Sequence, residues 1–403
     1  MNMEVIMTNK EKYAKLLIDK CLNLKENQPL LITAPIECID FVRLVAKYAM
    51  EKGSRDIFYD FTDEILKHDT LKYFNIEDLE KSCLFNKSIY DEYAKKNAAF
   101  LMLYSDDPDA LNDIENEKIA HSAKLLRTTR PLYKKMQLTY EISWCIASVV
   151  TYNWAKKVLP KSINPVSDMW DIVLKMTLCD KNDPIKAWDE KIEKNKEIVD
   201  KLNNLKIKTL HYKNELGTDF KISFNDNVWC GASTKTKDNR NIIVNMPTEE
   251  VFTTPNKYTA NGIVYASKPL VYNSALIDEF FIEFKDGKVI NFDAKVGKEI
   301  LKSIIESENG NYLGEVALVD KNSLINQSNI LFYETLYDEN ASCHLALGDG
   351  FPECIKSDKS YDELGINESK THVDFMIGTD DLEITAETEN DKKLIMKNGT
   401  FVI

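Results

Sequence analysis

The sequence has no Cys-x-x-Cys pair, no run of about 18 apolar residues and no excess of basic charge, and each absence removes a class of function. Eight cysteines, scattered from Cys21 to Cys354, are too sparse for a disulfide scaffold. The first thirty residues carry Lys10, Glu11, Lys12, Lys15, Asp19 and Lys20, which a signal peptide would not. Reduced thiols and a cytoplasmic location are therefore expected. Lacking a long apolar run, the chain offers no membrane-spanning helix. A net charge of −13 argues against nucleic acid or an anionic membrane surface as a partner. No phosphate-cradling G-x-x-x-x-G-K-S/T or G-x-G-x-x-G follows a strand, and the first strand-to-helix turn, T-A-P-I-E-C-I-D, has no glycine. H-E-x-x-H and G-x-S-x-G are missing too.

What is present reads as an ordinary globular protein of two domains: 403 residues, 44% hydrophobic and 29% charged. Residues 9–24 place apolar side chains at helical spacing and predict an amphipathic opening helix. P-L-L-I-T-A-P (29–35) predicts a buried strand, F-V-R-L-V-A-K-Y-A-M-E-K-G a helix stopped by Gly53, and R-D-I-F-Y-D-F (55–61) a second strand. Strand, helix, strand at this spacing implies an α/β domain with a mainly parallel sheet. Further strands are predicted at 98–105 and 142–150, with helices over 76–125 and 153–204. From 206 the pattern changes to alternating stretches, among them F-K-I-S-F, N-I-I-V-N-M-P and F-F-I-E-F-K-D-G-K-V-I-N-F-D-A, whose D-G marks a hairpin. A helix is expected around 296–307. The domains are thus placed at 1–205, α/β, and 206–403, β-rich.

The whole chain has five histidines, and two of them fall in the last third beside carboxylates in apolar, strand-like runs. Glu250 stands in P-T-E-E-V-F, Glu315 in G-E-V-A-L-V, Glu339 and His344 in D-E-N-A-S-C-H, and His372 and Asp374 in T-H-V-D-F-M-I-G. Four carboxylates and two imidazoles are about what holds two divalent ions side by side, and this mixed oxygen and nitrogen donor set suits Zn, Co or Mn better than a thiolate site would. On a strand, His372 and Asp374 face the same way, Val373 and Phe375 the other, so the pair can chelate. Glu339 and His344 can meet at one site only if a turn lies between them. Asp338 or Asn340 as a helix N-cap is the competing reading of that segment, and Cys343 is a rival ligand or a buried thiol. Position does not choose between Glu249 and Glu250, and Thr248 capping a short helix would account for both.

These stretches, together with N-M-P-T-E-E-V-F-T-T-P (245–255), L-Y-D-E-N-A-S-C-H-L-A-L-G (336–348), W-C-I-A…N-W-A-K-K-V-L-P (144–160) and D-P-I-K-A-W (183–188), resemble the M29 metallo-aminopeptidases across nearly the whole chain. The resemblance implies a cytosolic, homodimeric exopeptidase that removes N-terminal residues from short peptides, with an α/β N-terminal domain and a separate metal-bearing C-terminal domain. It implies two divalent ions (Zn, Co, Mn or Mg) held by Glu250, Glu315, Glu339, His344, His372 and Asp374. Glu315 matches the bridging carboxylate and is the catalytic candidate. Glu250, His372 and Asp374 are assigned to one ion, Glu339 and His344 to the other. One position departs from the family: H-x-A-x-G-x-x-Y here reads H-L-A-L-G-D-G-F, with Phe351 in place of a tyrosine considered part of the active site. A phenyl ring cannot donate to a developing oxyanion. A metal-containing peptide-binding protein with weak or lost catalysis is therefore the alternative, and a metallohydrolase of another amide or ester a third reading.

Overall fold

Thr8 begins the structure with a reciprocal cap: its hydroxyl accepts the Glu11 N–H, and the Glu11 carboxylate accepts the Thr8 N–H at 2.8 Å. The helix Asn9–Leu16 follows and widens into a π-helical turn over Leu17–Cys21, so the expected helix is regular for only half its length. This computed structural model describes residues 7–105, 107–272 and 275–403. The chain divides into two compact units, Met1–Lys191 with Ser233–Pro247, and Ile192–Ala232 with Thr248–Ile403.

The first unit is the α/β fold that the strand–helix–strand spacing predicts. Leu30–Pro35 and Ile57–Thr62 pair in parallel across the helix Ile39–Glu51, and Ala99–Tyr104 and Trp144–Ser148 extend the sheet on the other side, parallel throughout. The first and third of these strands are buried nearly end to end, as a parallel sheet covered by helices on its faces requires. One expectation fails. N-I-I-V-N-M-P does not form a C-terminal strand; Asn245–Met246 instead pairs in parallel with Trp144–Ser148 at the edge of this first sheet. Seven cysteines are free thiols, and the side chain of Cys83 lies outside the described residues. Among the described residues no helix is long and apolar enough to cross a membrane.

The second unit is β-rich and antiparallel. Its larger sheet has nine strands, including Ala275–Lys285 and Lys288–Val296, joined at Asp286-Gly287 with both residues at positive φ, as the D-G signal demands. A smaller sheet of four strands carries the candidate site, in the order Val251–Thr253, Leu313–Leu318, His344–Gly348 and His372–Met376. Val316, Leu318, Leu345, Leu347, Val373 and Phe375 of the small sheet join one buried cluster with Tyr212, Phe220, Phe280 and Ile384 of the large one. Phe280 and Phe375 meet ring to ring at 6.0 Å. One face of the small sheet is thereby committed to the core.

Candidate metal centre

Strand periodicity decides what the other face carries. With Val316 and Leu318 turned into the core, Glu315 and Ala317 turn away from it, and the same alternation turns out His344 and Ala346 on the next strand and His372 and Asp374 on the last. The register then lines them up. Glu315 stands opposite Ala346, and Ala346 opposite Asp374, so two carboxylates flank one methyl group in a single cross-strand row. His344 stands opposite Ala317, and His372 opposite Gly348. Small residues separate the ionisable ones and leave room between them.

Two glycines shape the end of this sheet. A Cβ on Gly314 would come within 2.0 Å of the Asp349 carbonyl oxygen, and one on Gly348, at φ +104°, within 2.0 Å of that of Thr371. Because the chain can close up here, the Asp349 carbonyl lies 2.8 Å from His372 Nδ1 and accepts its N–H. His372 Nε2 is thereby aimed at Glu315 Oε2 and Asp374 Oδ1, both at 3.1 Å. His344 is arranged alike: Nδ1 lies 3.2 Å from the Ser342 carbonyl and Nε2 3.2 Å from Glu250 Oε2. In both rings a backbone carbonyl holds one nitrogen and leaves the other facing carboxylates, the orientation that metal-binding imidazoles adopt.

The ligand atoms fall into two triads with a common member. Those of Glu250, Glu315 and His344 lie within 4.8 Å of one another, and so do those of Glu315, His372 and Asp374. Glu250 thus groups with His344 rather than with His372 and Asp374. Glu339 is in neither triad; it lines a small cavity with Asp374, Leu270 and Met376. The one-turn helix Thr335–Asp338 and the 3-10 turn Glu339–Ala341 supply the bend between Glu339 and His344.

The surrounding segments settle the alternatives left by the sequence. Residues 248–250 are not helical, so Thr248 caps nothing. Asn340, fully buried, accepts the Glu249 N–H on Oδ1 at 2.6 Å and donates from Nδ2 to the Leu336 carbonyl. Asn195 donates to the Glu250 carbonyl at 2.8 Å. Gripped at both residues, the segment presents Glu250 to the site. Neither asparagine stands out in the sequence as a positioning residue, because each acts on chain 55 to 91 residues away. Asp338 does not cap; its carboxylate accepts the N–H groups of Phe332 and Glu334. Cys343 lies in the core cluster, where burial pushes its thiol up to about 12, so it is no rival ligand.

Electrostatics test whether these residues fit cations. Glu250, Glu315, His344 and Asp374 are between 1% and 8% exposed, so their charges are largely removed from water. Burial, with Asp374 adding to it, pushes Glu315 up to about 7 against the pull of His372. Desolvation and the charges of Asp374, Glu250 and Glu315 push Glu339 well above the usual carboxylate range. Burial would lower both histidines, yet the Glu250 contact carries His344 up to about 9, and Asp374 and Glu315 raise His372 well above its ordinary value. Without bound cations, then, the cluster holds protons. A donor set that collects positive charge this strongly, with imidazole nitrogens already aimed, fits divalent ions.

Phe351 adjoins this cluster. Its ring packs 4.9 Å from the His372 ring and 5.2 Å from that of Phe252, and its N–H donates to the Thr254 hydroxyl at 2.7 Å.

Comparison with known proteins finds relatives over nearly the whole chain. The family model described as thermophilic metalloprotease (M29) matches residues 7–401. Aminopeptidase 2 of Geobacillus stearothermophilus is 36% identical over 401 residues, covering 97% of each chain. Aminopeptidase AmpS of Bacillus subtilis is 36% identical over 399 residues, covering 96% of this chain and 97% of its own. The solved structure of wild-type AmpT from Thermus thermophilus superposes with a TM-score of 0.92 at 31% identity, over 98% of this chain and 99% of that one. The chain belongs to the M29 thermophilic metalloproteases and is a hydrolase of peptide bonds.

Proposed function

We propose that the protein is a two-metal aminopeptidase that releases N-terminal residues from short peptides in the cytoplasm, as a homodimer. The observation that carries this reading is the pair of donor triads sharing Glu315. Glu250 and His344 would hold one ion, His372 and Asp374 the other, Glu315 both, and Glu339 would complete the set. Zn, Co, Mn or Mg bound there would supply Lewis acidity to activate water and steady charge on the scissile carbonyl oxygen.

The chain's own residues do the remaining work. The carbonyls of Asp349 and Ser342 fix the imidazole tautomers. Asn340 and Asn195 fix Glu250. Curated relatives of nearly the same length are named aminopeptidases, which supports turnover over a binding role alone. The cytoplasmic location rests on the free thiols, and the dimer on the family resemblance.

The test is release of p-nitroaniline from leucine p-nitroanilide by protein stripped with a chelator and resupplied with Zn, Co or Mn. Turnover should return with metal and be absent for the N-acetylated substrate. No turnover with any metal would remove the reading. Phe351 refines it: a phenol at this position could donate a hydrogen bond that the phenyl ring cannot. Phe351→Tyr is expected to raise kcat by about 10- to 100-fold with little change in KM, since one oxyanion donor contributes on the order of 10²–10³ in rate. An unchanged kcat would mean that the native site does not lack the phenol.

A further inference from the structure

Beside the metal centre, in the same unit, lies a cavity of about 310 Å³ that the two-metal reading does not use. It is continuous in sequence with the centre along two segments. Asp374 and Met376 line the small cavity at the metal site, and Gly378, Thr379 and Asp380 line the larger one. Likewise Pro269 and Leu270 line the first, Ser267 and Lys268 the second. The Ser267 N–H donates to the Met376 carbonyl at 2.8 Å, which ties the two segments together.

The cavity wall is polar, and Lys268 is its notable cation. It is half-buried, and burial lowers its ammonium pKa against the pull of Asp338 and Asp380. Yet it makes no ion pair within 4.0 Å and no hydrogen bond among the described residues. By contrast, Lys321 on the same wall donates to the Asp380 carbonyl. Next to Lys268, the Ser267 hydroxyl is buried without a hydrogen-bond partner. A partly desolvated ammonium and an unused hydroxyl on one wall are donors awaiting an acceptor. Asp380 lines the cavity and is exposed to solvent, while the Asp338 carboxylate is engaged by backbone N–H groups. The charges around Lys268 therefore do not amount to a counter-ion in contact with it.

We propose that this cavity binds the C-terminal carboxylate of the peptide substrate, with Lys268 as the recognising cation and the Ser267 hydroxyl as a second donor. The inference rests on the aminopeptidase reading. Its chemical logic is that a chain of net charge −13 repels a peptide carboxylate unless a cation receives it. Distance sets the peptide length. Asp374 and Gly378 are four residues apart, the first on the strand and the second two residues beyond its end, so extended chain separates them by at most about 13–14 Å. An extended substrate covers a similar length per residue, and the lysine side chain reaches back over part of the gap. The carboxylate that fits lies two to three residues beyond the scissile bond, so tri- and tetrapeptides gain and dipeptides do not.

The test compares Leu-Gly-Gly-Gly with its C-terminal amide and with leucine p-nitroanilide, using the metal-loaded full chain as wild type, Lys268→Met and Lys268→Arg. The wild type is expected to favour the free acid over the amide by about tenfold in kcat/KM, expressed in KM, the scale of one charge-assisted contact. Lys268→Met should abolish that preference while leaving the amide and the p-nitroanilide unchanged, and Lys268→Arg should restore most of it. Equal treatment of acid and amide by the wild type would overturn the inference, as would a Lys268→Met variant that keeps the preference or loses all three substrates equally. Absence of turnover on every substrate by the wild type would instead remove the aminopeptidase reading, and this inference with it.

Discussion

Glu315→Gln is expected to lower peptidase turnover by at least about 10²–10³-fold while making the metal-free protein more stable. The loss follows from position. Glu315 is the one donor common to both triads, so an uncharged amide there weakens both proposed ion sites at once. A loss of that order is what removal of one charge-stabilising group from an active site produces. The gain in stability follows from burial. Glu315 is 3% exposed, and its carboxyl is pushed up to about 7 by desolvation and Asp374. A carboxyl with a folded pKa above its unfolded one contributes stability that is present at low pH and lost as pH rises through the folded value. At pH 8 the metal-free protein has therefore lost at most about 3.5 kcal/mol at this residue, at about 1.4 kcal/mol per pKa unit. Glutamine has no charge to desolvate. Activity and thermal unfolding of the chelated proteins at pH 8 check both halves. An inactive variant with a lowered Tm would mean that Glu315 serves the fold instead.

The second large effect is a metal-dependent stability that grows with pH. The stability contributed by Glu315 is lost between about pH 4.5 and 7, where the unfolded carboxyl is ionised and the folded one still holds its proton. His344, up to about 9 in the folded protein, contributes stability that is complete below about pH 6.5 and lost as pH rises through 9. Both act in the same direction, and the upward shifts of Glu339 and His372 add to them. Asp374 is shifted the other way, but its window lies far below this range. Metal-free protein should therefore lose Tm steadily from pH 5.5 to 9. Zn- or Mn-loaded protein should stay nearly level, because the ions replace the protons that the ligands give up. The gap between the two Tm curves should widen as pH rises. A gap that is constant or narrows on the alkaline side would contradict the assignment of these protons to the ligand cluster.

Much of this site can be read from the sequence because it is built on strands. A period of two puts His372 and Asp374 on one face, and the same rule turns Val373 and Phe375 into the core. Read from His344, it also turns Cys343 to the opposite face, which removes it as a ligand. The D-G hairpin and the first βαβ unit are equally local signals, and both are present. What the sequence does not carry is contact between distant segments. The choice of Glu250 over Glu249 rests on Asn340 and Asn195. The grouping of Glu250 with His344 rests on sheet order, which no local pattern encodes. Asn245–Met246 has a strand-like pattern, but its partner is Trp144–Ser148, about a hundred residues earlier. The opening helix keeps its apolar spacing past Leu16, yet the backbone widens there to a π-helical turn, a change that leaves the side-chain pattern almost intact.

The most direct measurement is an anomalous-diffraction map of crystals grown with Zn or Mn. The account predicts two metal peaks, with Glu315 between them, Glu250 and His344 on one, and His372 and Asp374 on the other. A fully reconstituted protein with no peak among these side chains, or with ions bound elsewhere in the chain, would contradict it.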